Sequence, residues 1–267
     1  MFIKKLKGFS GCDVSLHIDE KTGRRFVRKI SSSIEYNVRL ERQMKKQMTF
    51  SDKVLKTPEV YTSGMIKDKF YFDMEFVRGE TFNNFVSTNS PGNVLHVFEK
   101  IIHYLSGIDS KTKDMSHLIE DKIESLRSKI DSSLHGHLDY CLECSWKNVQ
   151  ESISHGDLTF ENIIVYKTDI YLIDFLDSFV ETKYVDYSKL LQDIVLMWSW
   201  RNSTSPPFIK CIFLYNKICE SLGEEETEMI KRLLVLNVLR IVPYADQRTL
   251  KYLKGRLDYL EERLESS

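Results

Sequence analysis

The sequence predicts an α+β chain of two lobes, a small antiparallel β-sheet lobe with one helix and then a larger, mainly helical lobe. Three observations carry this expectation. Short alternating apolar runs broken by turn signals fill the first third, apolar residues recur at three- and four-residue spacing after Pro91, and one strand-like hairpin, ENIIVY with IYLIDF, lies among the helices. With 267 residues the chain can form one large domain or two lobes around a real core.

Taken in order, FIKKLKG and VSLHID alternate, EKTG turns the chain, and RRFVRKI is a third strand. From Ser33 the run IEYNVRLERQMKKQM contains neither Gly nor Pro, which predicts a helix with Ile34, Val38 and Met48 on its apolar side. Two further strands, VYTSGMI and FYFDMEFV, follow Pro58, and Arg78-Gly79 signals a turn. The composition changes there, so the first lobe is expected over residues 1–77 and the second over 78–267. In the second, Val94, Phe98, Ile101 and Leu105, then Leu118, Ile119, Ile123, Leu126 and Ile130, keep the helical period.

Hydrophobic residues make up 42% and charged residues 29%, a globular rather than a disordered composition. A net charge of -1, from 38 basic and 39 acidic residues, argues against dedicated nucleic-acid binding. No stretch reaches the ~20 apolar residues of a membrane span and the N-terminus lacks an apolar signal region, so a cytoplasmic protein is expected. Five scattered cysteines fit reduced thiols. Cys141 and Cys144 form a CxxC shortly after His135 and His137, a potential zinc set. Without a second CxxC, free thiols on a loop are the expectation.

Residues 154–178 read SHGDLTFENIIVYKTDIYLIDFLDS. Asp157 falls in the loop before the hairpin, Asn162 at its first strand and Asp174 at the end of its second, so all three are expected at one end. Such a set is too poor in carboxylates for a calcium cage but suits Mg²⁺, which completes its shell with phosphate and water. His155-x-Asp157-x-x-x-x-Asn162 followed by Ile173-Asp174-Phe175 resembles the catalytic and metal-binding loops of the protein-kinase-like fold. His155-Gly156-Asp157-Leu158 in particular resembles the aminoglycoside phosphotransferase and choline kinase branch.

The resemblance implies roles residue by residue. Asp157 would be catalytic, orienting the acceptor hydroxyl and taking its proton, while Asn162 and Asp174 hold Mg²⁺ on ATP or GTP and His155 packs the loop. Gly8, Ser10 and Gly11, in a stretch similar to the G-x-S loop of small-molecule kinases, would offer backbone N–H groups to phosphate, with Val14 against the base. Lys29 would meet the α- and β-phosphates. Alternation puts Val27 and Lys29 on one face and Phe26, Arg28 and Ile30 on the other, with Arg28 the alternative. Glu41 is the chosen acidic partner of Lys29, over Glu35 and Gln43. Met74, Glu75 and Val77 would form the hinge against an adenine edge.

Leu176 stands where protein kinases have the glycine of DFG, and Thr159 where the HRDLKPEN pattern has lysine; both departures favour the small-molecule branch. Asp186, Trp198 and Trp200 are candidates for the acceptor pocket. On a helix the two tryptophans would diverge by about 200°. Arg240 is an odd charge in an apolar run, an ion pair or an anion contact. Acidic and basic residues balance after residue 180, so a polycationic aminoglycoside is not specifically indicated. The expected activity is transfer of a γ-phosphate to a hydroxyl of a sugar, amino alcohol or antibiotic. The alternatives are a catalytically weak nucleotide-binding regulator or scaffold of the same fold, or a protein kinase. Nucleotide and small-molecule acceptor are the expected partners, and oligomeric state stays open.

Overall fold

The computed structural model describes residues 1–6, 11–108 and 110–264. The chain begins with strands β1 (Phe2–Lys5), β2 (Asp13–Ile18) and β3 (Arg25–Ile30), helix α1 (Asn37–Thr49), and strands β4 (Leu55–Lys56), β5 (Val60–Ile66), β6 (Lys69–Glu75) and β7 (Glu80–Thr81). Next come α2 (Phe82–Thr88), α3 (Pro91–Ser106), β8 (Thr112–Lys113), α4 (Ser116–Arg127), α5 (His135–Tyr140) and β9 (Val149–Gln150). The hairpin β10 (Ile163–Tyr166) and β11 (Asp169–Leu172) precedes helices α6 (Lys183–Ile194), α7 (Phe208–Cys219), α8 (Glu224–Leu239) and α9 (Gln247–Leu264). The fold is mixed α+β, and its residues pack into two compact units, Met1–Phe82 with Asn162–Asp177, and Asn83–Glu161 with Ser178–Ser267. This differs from a single cut at residue 77, because the hairpin packs with the first unit.

In the first unit, five strands form an antiparallel sheet in the order β1-β2-β3-β6-β5. Local chemistry makes its turns. Asp19 Oδ1 accepts from the backbone N–H groups of Lys21 and Thr22 at 2.9 Å, and Lys67 and Asp68 adopt φ of 48° and 62°, as a primed hairpin turn requires. A second sheet runs β4-β11-β10-β7. Gly79 is needed beside it, since a Cβ there would lie 2.5 Å from the Val165 carbonyl oxygen.

Cys12, Leu16, Val27, Leu40, Met44, Phe72 and Met74 fill the core of this unit. Helix α1 starts at Asn37 rather than Ser33, and it buries Leu40, Gln43, Met44 and Gln47. The expected apolar side is therefore corrected: Ile34, Val38 and Met48 are exposed. The buried face can hold two glutamines because their amides find partners, Gln43 Nε2 donating to Tyr36 Oη at 3.0 Å and Gln47 Nε2 to the Pro58 carbonyl at 2.8 Å.

In the second unit α3 buries Val94, Phe98, Ile101 and Leu105, and α4 buries Ile119, Ile123 and Leu126 while Leu118 stays exposed. Ser90 caps α3 by accepting from Asn93 N, with Pro91 in the first turn. All twelve residues of α6 are buried, including Lys183, Asp186, Ser188, Lys189, Gln192 and Asp193. A helix buried all round is normally apolar, so these polar groups must be paired. No described helix is long and apolar enough to cross a membrane.

Candidate active site

In the first unit the candidate residues are placed by the β10–β11 hairpin. Lys167, with φ 57°, and Thr168 close its tight end, and the register pairs Ile163 with Leu172. At the open end Ile173 N–H donates to the Asn162 carbonyl at 3.0 Å, so Asn162 lies beside the residue preceding Asp174. Asp174 takes the left-handed conformation, φ 64°, which Asp tolerates better than most residues. From that corner its carboxylate forms an ion pair with Lys29, whose side chain is only 4% exposed against 31% for the acid. Lys46 of α1 donates to the Leu176 carbonyl at 2.9 Å, and Phe175 packs on Phe50, so both residues after Asp174 are anchored.

Strand β3 carries Val27 and Lys29 on its buried face. Arg28 points the other way and grips Asp73 on the neighbouring β6 with two 2.7 Å hydrogen bonds. Val14 sits directly opposite Lys29 on β2. The expected Lys29–Glu41 pair does not form. Glu41 lies off the inward stripe of α1 and binds Lys45 at 2.6 Å, Glu35 is exposed, and the inward position belongs to Gln43, whose Oε1 is buried with no hydrogen-bond partner among the described residues.

Met74 and Val77 are buried, while Glu75 N–H already donates to the Glu59 carbonyl at 2.8 Å, so an adenine contact at Glu75 would have to use its carbonyl. Gly11 has φ 73°. Gly8 and Ser10 lie outside the described residues.

In the second unit the loop from Ser154 is held by α6. Both Asp186 carboxylate oxygens accept backbone N–H groups, from His155 at 2.7 Å and Gly156 at 2.9 Å, and Gly156 turns with φ 86°. His155 is buried, and its Nδ1 accepts from Asp157 N–H at 3.3 Å. One turn along α6, Lys189 Nζ lies 3.1 Å from Asp157 Oδ1. A further turn on, Asp193 accepts from Phe160 N–H at 2.6 Å and Ser199 N–H at 2.8 Å. Residues 186, 189 and 193 thus form one stripe along the loop.

Burial pushes the Asp193 carboxyl up to about 6, against the pull of the Phe160 and Ser199 N–H groups. For Asp157 burial also pushes upward, but the Lys189 cation, aided by His155 and Arg240, outweighs it and holds the carboxyl below the usual Asp value. Sequence reading missed Lys189 and Asp193. Their signal was present, four charged residues, Lys183, Asp186, Lys189 and Asp193, at spacings of three, three and four in a helix otherwise rich in Tyr, Val, Leu and Ile.

The acceptor candidates fare differently. Asp186, expected in the acceptor pocket, spends a hydrogen bond of each carboxylate oxygen on the loop backbone. Trp198–Trp200 is a 3-10 turn, not an α-helix. Trp200 is buried edge-on to Phe160 and donates its indole N–H to Ser87 Oγ at 2.9 Å. Trp198 is half-buried, with the Arg201 guanidinium 4.3 Å over its ring. Arg240 caps α8, donates to Asn237 Oδ1 at 2.8 Å and lies 4.9 Å over Phe179.

Among the described residues no three His, Cys, Asp or Glu side chains gather as a metal cage. Cys141 is buried and donates its thiol to the His137 carbonyl, and His135 Nε2 meets the Arg127 carbonyl at 3.1 Å. Burial pushes both the Cys141 and Cys144 thiols up, the latter to about 11, which disfavours thiolate ligands. At the hairpin corner the donors are one carboxylate, Asp174, and one amide, Asn162. This hard oxygen pair fits Mg²⁺ bound together with a triphosphate, not a self-sufficient metal site.

Sheet order, hairpin and helices define a protein-kinase-like fold. Among solved structures, the chain is similar to a Haemophilus somnus 129PT protein assigned as a fructosamine-3-kinase, with 15% identity, TM-score 0.63, and 97% and 92% of the two chains covered. It is similar to APH(2'')-IIa in its streptomycin–ATP complex, at 15% identity, TM-score 0.61 and coverage of 95% and 90%. A Plasmodium vivax ethanolamine kinase matches at 14% identity, TM-score 0.56 and coverage of 97% and 81%. No protein-family model matches the sequence, and no curated protein does.

Proposed function

We propose that this chain is an Mg²⁺-dependent phosphotransferase that moves the γ-phosphoryl group of ATP or GTP to a hydroxyl of a small molecule. The observation that carries this reading is the Lys29–Asp174 pair. Residues far apart in sequence bring a strand cation and a corner carboxylate together, beside Asn162, in the first unit. Lys29 would bind the α- and β-phosphates, Val14 and Met74 would border the base, and Asn162 and Asp174 would hold Mg²⁺, which neutralises charge on the phosphates when bound there. Asp157 would orient the acceptor hydroxyl. As the acceptor oxygen bonds to the γ-phosphorus and the bond to the β-bridging oxygen breaks, its proton passes to Asp157 and the nucleoside diphosphate leaves.

Among acceptors, a carbohydrate hydroxyl is favoured over choline, because Arg201 takes the Trp198 face that a quaternary ammonium would use. The test is incubation with labelled ATP or GTP, Mg²⁺ and a panel of hexoses, heptoses, aminoglycosides, choline, ethanolamine and peptides, against an Asp157→Asn background. Label on a non-peptide acceptor is expected. Label on peptides alone overturns the substrate class, and nucleotide binding without transfer to any acceptor favours a regulator of the same fold.

A further inference from the structure

Lys189 is a lysine inside a buried helix, with its side chain 11% exposed. An ammonium is costly to bury unless paired, and an apolar residue would fill the same space without that penalty. Its partners are Asp157 Oδ1 at 3.1 Å and, more weakly, Gln192 Oε1 at 3.4 Å. The charged and titratable groups facing Asp157 are Lys189 from α6, Arg240 from the end of α8, and His155 from its own loop, while Asp186 holds the backbone of that loop. Thr159, two residues after Asp157, brings no cation to this carboxylate.

We propose that Lys189 is a positioning residue for Asp157: a cation from α6 fixes the loop carboxylate in place and keeps it anionic although it is largely withdrawn from water. The inference rests on the phosphotransferase reading for its catalytic meaning but not for its chemistry, since the pair lies wholly in the second unit. Two stripe residues clamp the loop backbone, Asp186 at its start and Asp193 at Phe160, and Lys189 between them clamps the side chain. With the loop fixed at both ends, the ion pair from Lys189 directs the Asp157 side chain. Against the upward push of burial, Lys189 leads the cations that hold Asp157 down, with His155 and Arg240 assisting, so the carboxylate is ready to orient a hydroxyl at neutral pH.

The test uses Lys189→Met and Lys189→Arg in the full chain, alone and with Asp157→Asn. Carboxyl-carbon NMR, with the Asp157 signal assigned by its loss in Asp157→Asn, should show the Asp157 pKa raised by about one unit or more in Lys189→Met and largely kept in Lys189→Arg. In the transfer assay Lys189→Met should lower kcat by ~10–100-fold, move the acid limb of the pH profile upward and leave the nucleotide KM within about threefold. In the Asp157→Asn background Lys189→Met should add little, because its effect passes through the missing carboxylate.

An unmoved Asp157 titration in Lys189→Met overturns the inference, as does an equal loss of activity in both backgrounds, the mark of a merely structural role. Should Lys189→Met not fold, Lys189→Gln serves in its place, and Lys189→Arg with an Asp157 pKa far above that of the unaltered protein also overturns it. If the unaltered protein transfers no phosphate to any acceptor, the functional reading fails, yet the titration still decides whether Lys189 governs Asp157.

Discussion

Two Lys–Asp pairs among the candidate residues, Lys29–Asp174 in the first unit and Lys189–Asp157 in the second, are supported in opposite ways. Lys29 is fixed on a strand and Asp174 is aimed by backbone, by the hairpin register and a left-handed φ of 64°. Lys189 is fixed in a helix, and Asp157 is aimed by side chains, with Asp186 and Asp193 holding the loop around it. The difference follows what each acid has to do under the proposed function. There Asp174 would hold a metal ion, and its direction does not depend on Lys29 alone. Asp157 would keep Lys189 beside it.

The largest expected effect breaks the second pair. Asp157→Asn should lower turnover by ~10²–10⁴-fold while Mg²⁺-nucleotide affinity stays within about threefold, since the residue serves the acceptor; steady-state rates paired with calorimetry measure both, and unchanged turnover removes Asp157 from the reaction. Next, Asp174→Ala should erase the Mg²⁺-dependent part of nucleotide binding, a ~10²–10³-fold loss read by calorimetry with and without Mg²⁺. Equal affinity in the variant would contradict the metal role.

The smallest effect leaves both pairs intact and alters only the loop clamp. Asp193 has a folded pKa of about 6 against an ordinary 3.8, so the native state keeps a proton that the unfolded chain releases. Stability from this group is therefore full below about pH 4 and falls as pH rises to about 6, by up to ~3 kcal/mol. Asp193→Asn should remove that fall, so urea unfolding of the two proteins between pH 4 and 7 should give curves that converge or cross. Parallel curves would show that Asp193 does not hold its proton.

The placements of Lys29 and Asp174 were legible in the sequence, though not their pairing, and the Lys189–Asp157 pair was not. Alternation around Lys29 and the hairpin length before Asp174 are local patterns, and they fix which face or end a residue occupies. The acid opposite Lys29 was misread because a mostly polar helix offers several phases. Leu40 and Met44 settled α1 with Gln43 inward and Glu41 outward, a choice made by the core and not by helix propensity. Lys189 and Asp193 escaped because charged residues in a helix are ordinarily read as a solvated face. Only the complete burial of α6 turns them into partners of a loop some thirty residues earlier. Trp198 and Trp200 were placed on an α-helix, whereas Met197, at φ 54°, ends that path and starts a tighter turn.

The first unit is discontinuous, and this shapes how the chain can be assembled as it is synthesised. Its second sheet has β4 and β7 on the outside and the hairpin strands in the middle, with Leu55 pairing with Ile170. At ordinary elongation rates the ribosome makes residue 177 roughly 5–20 s after residue 81. Throughout that interval β4 and β7 await the strands that join them, and their length of two residues each leaves little open edge to mispair with another chain. Lys29, too, waits for its counter-charge until Asp174 emerges. The first unit is thus finished only after α2 to α5 have been made, with the loop-closure entropy of that long detour falling on the hairpin.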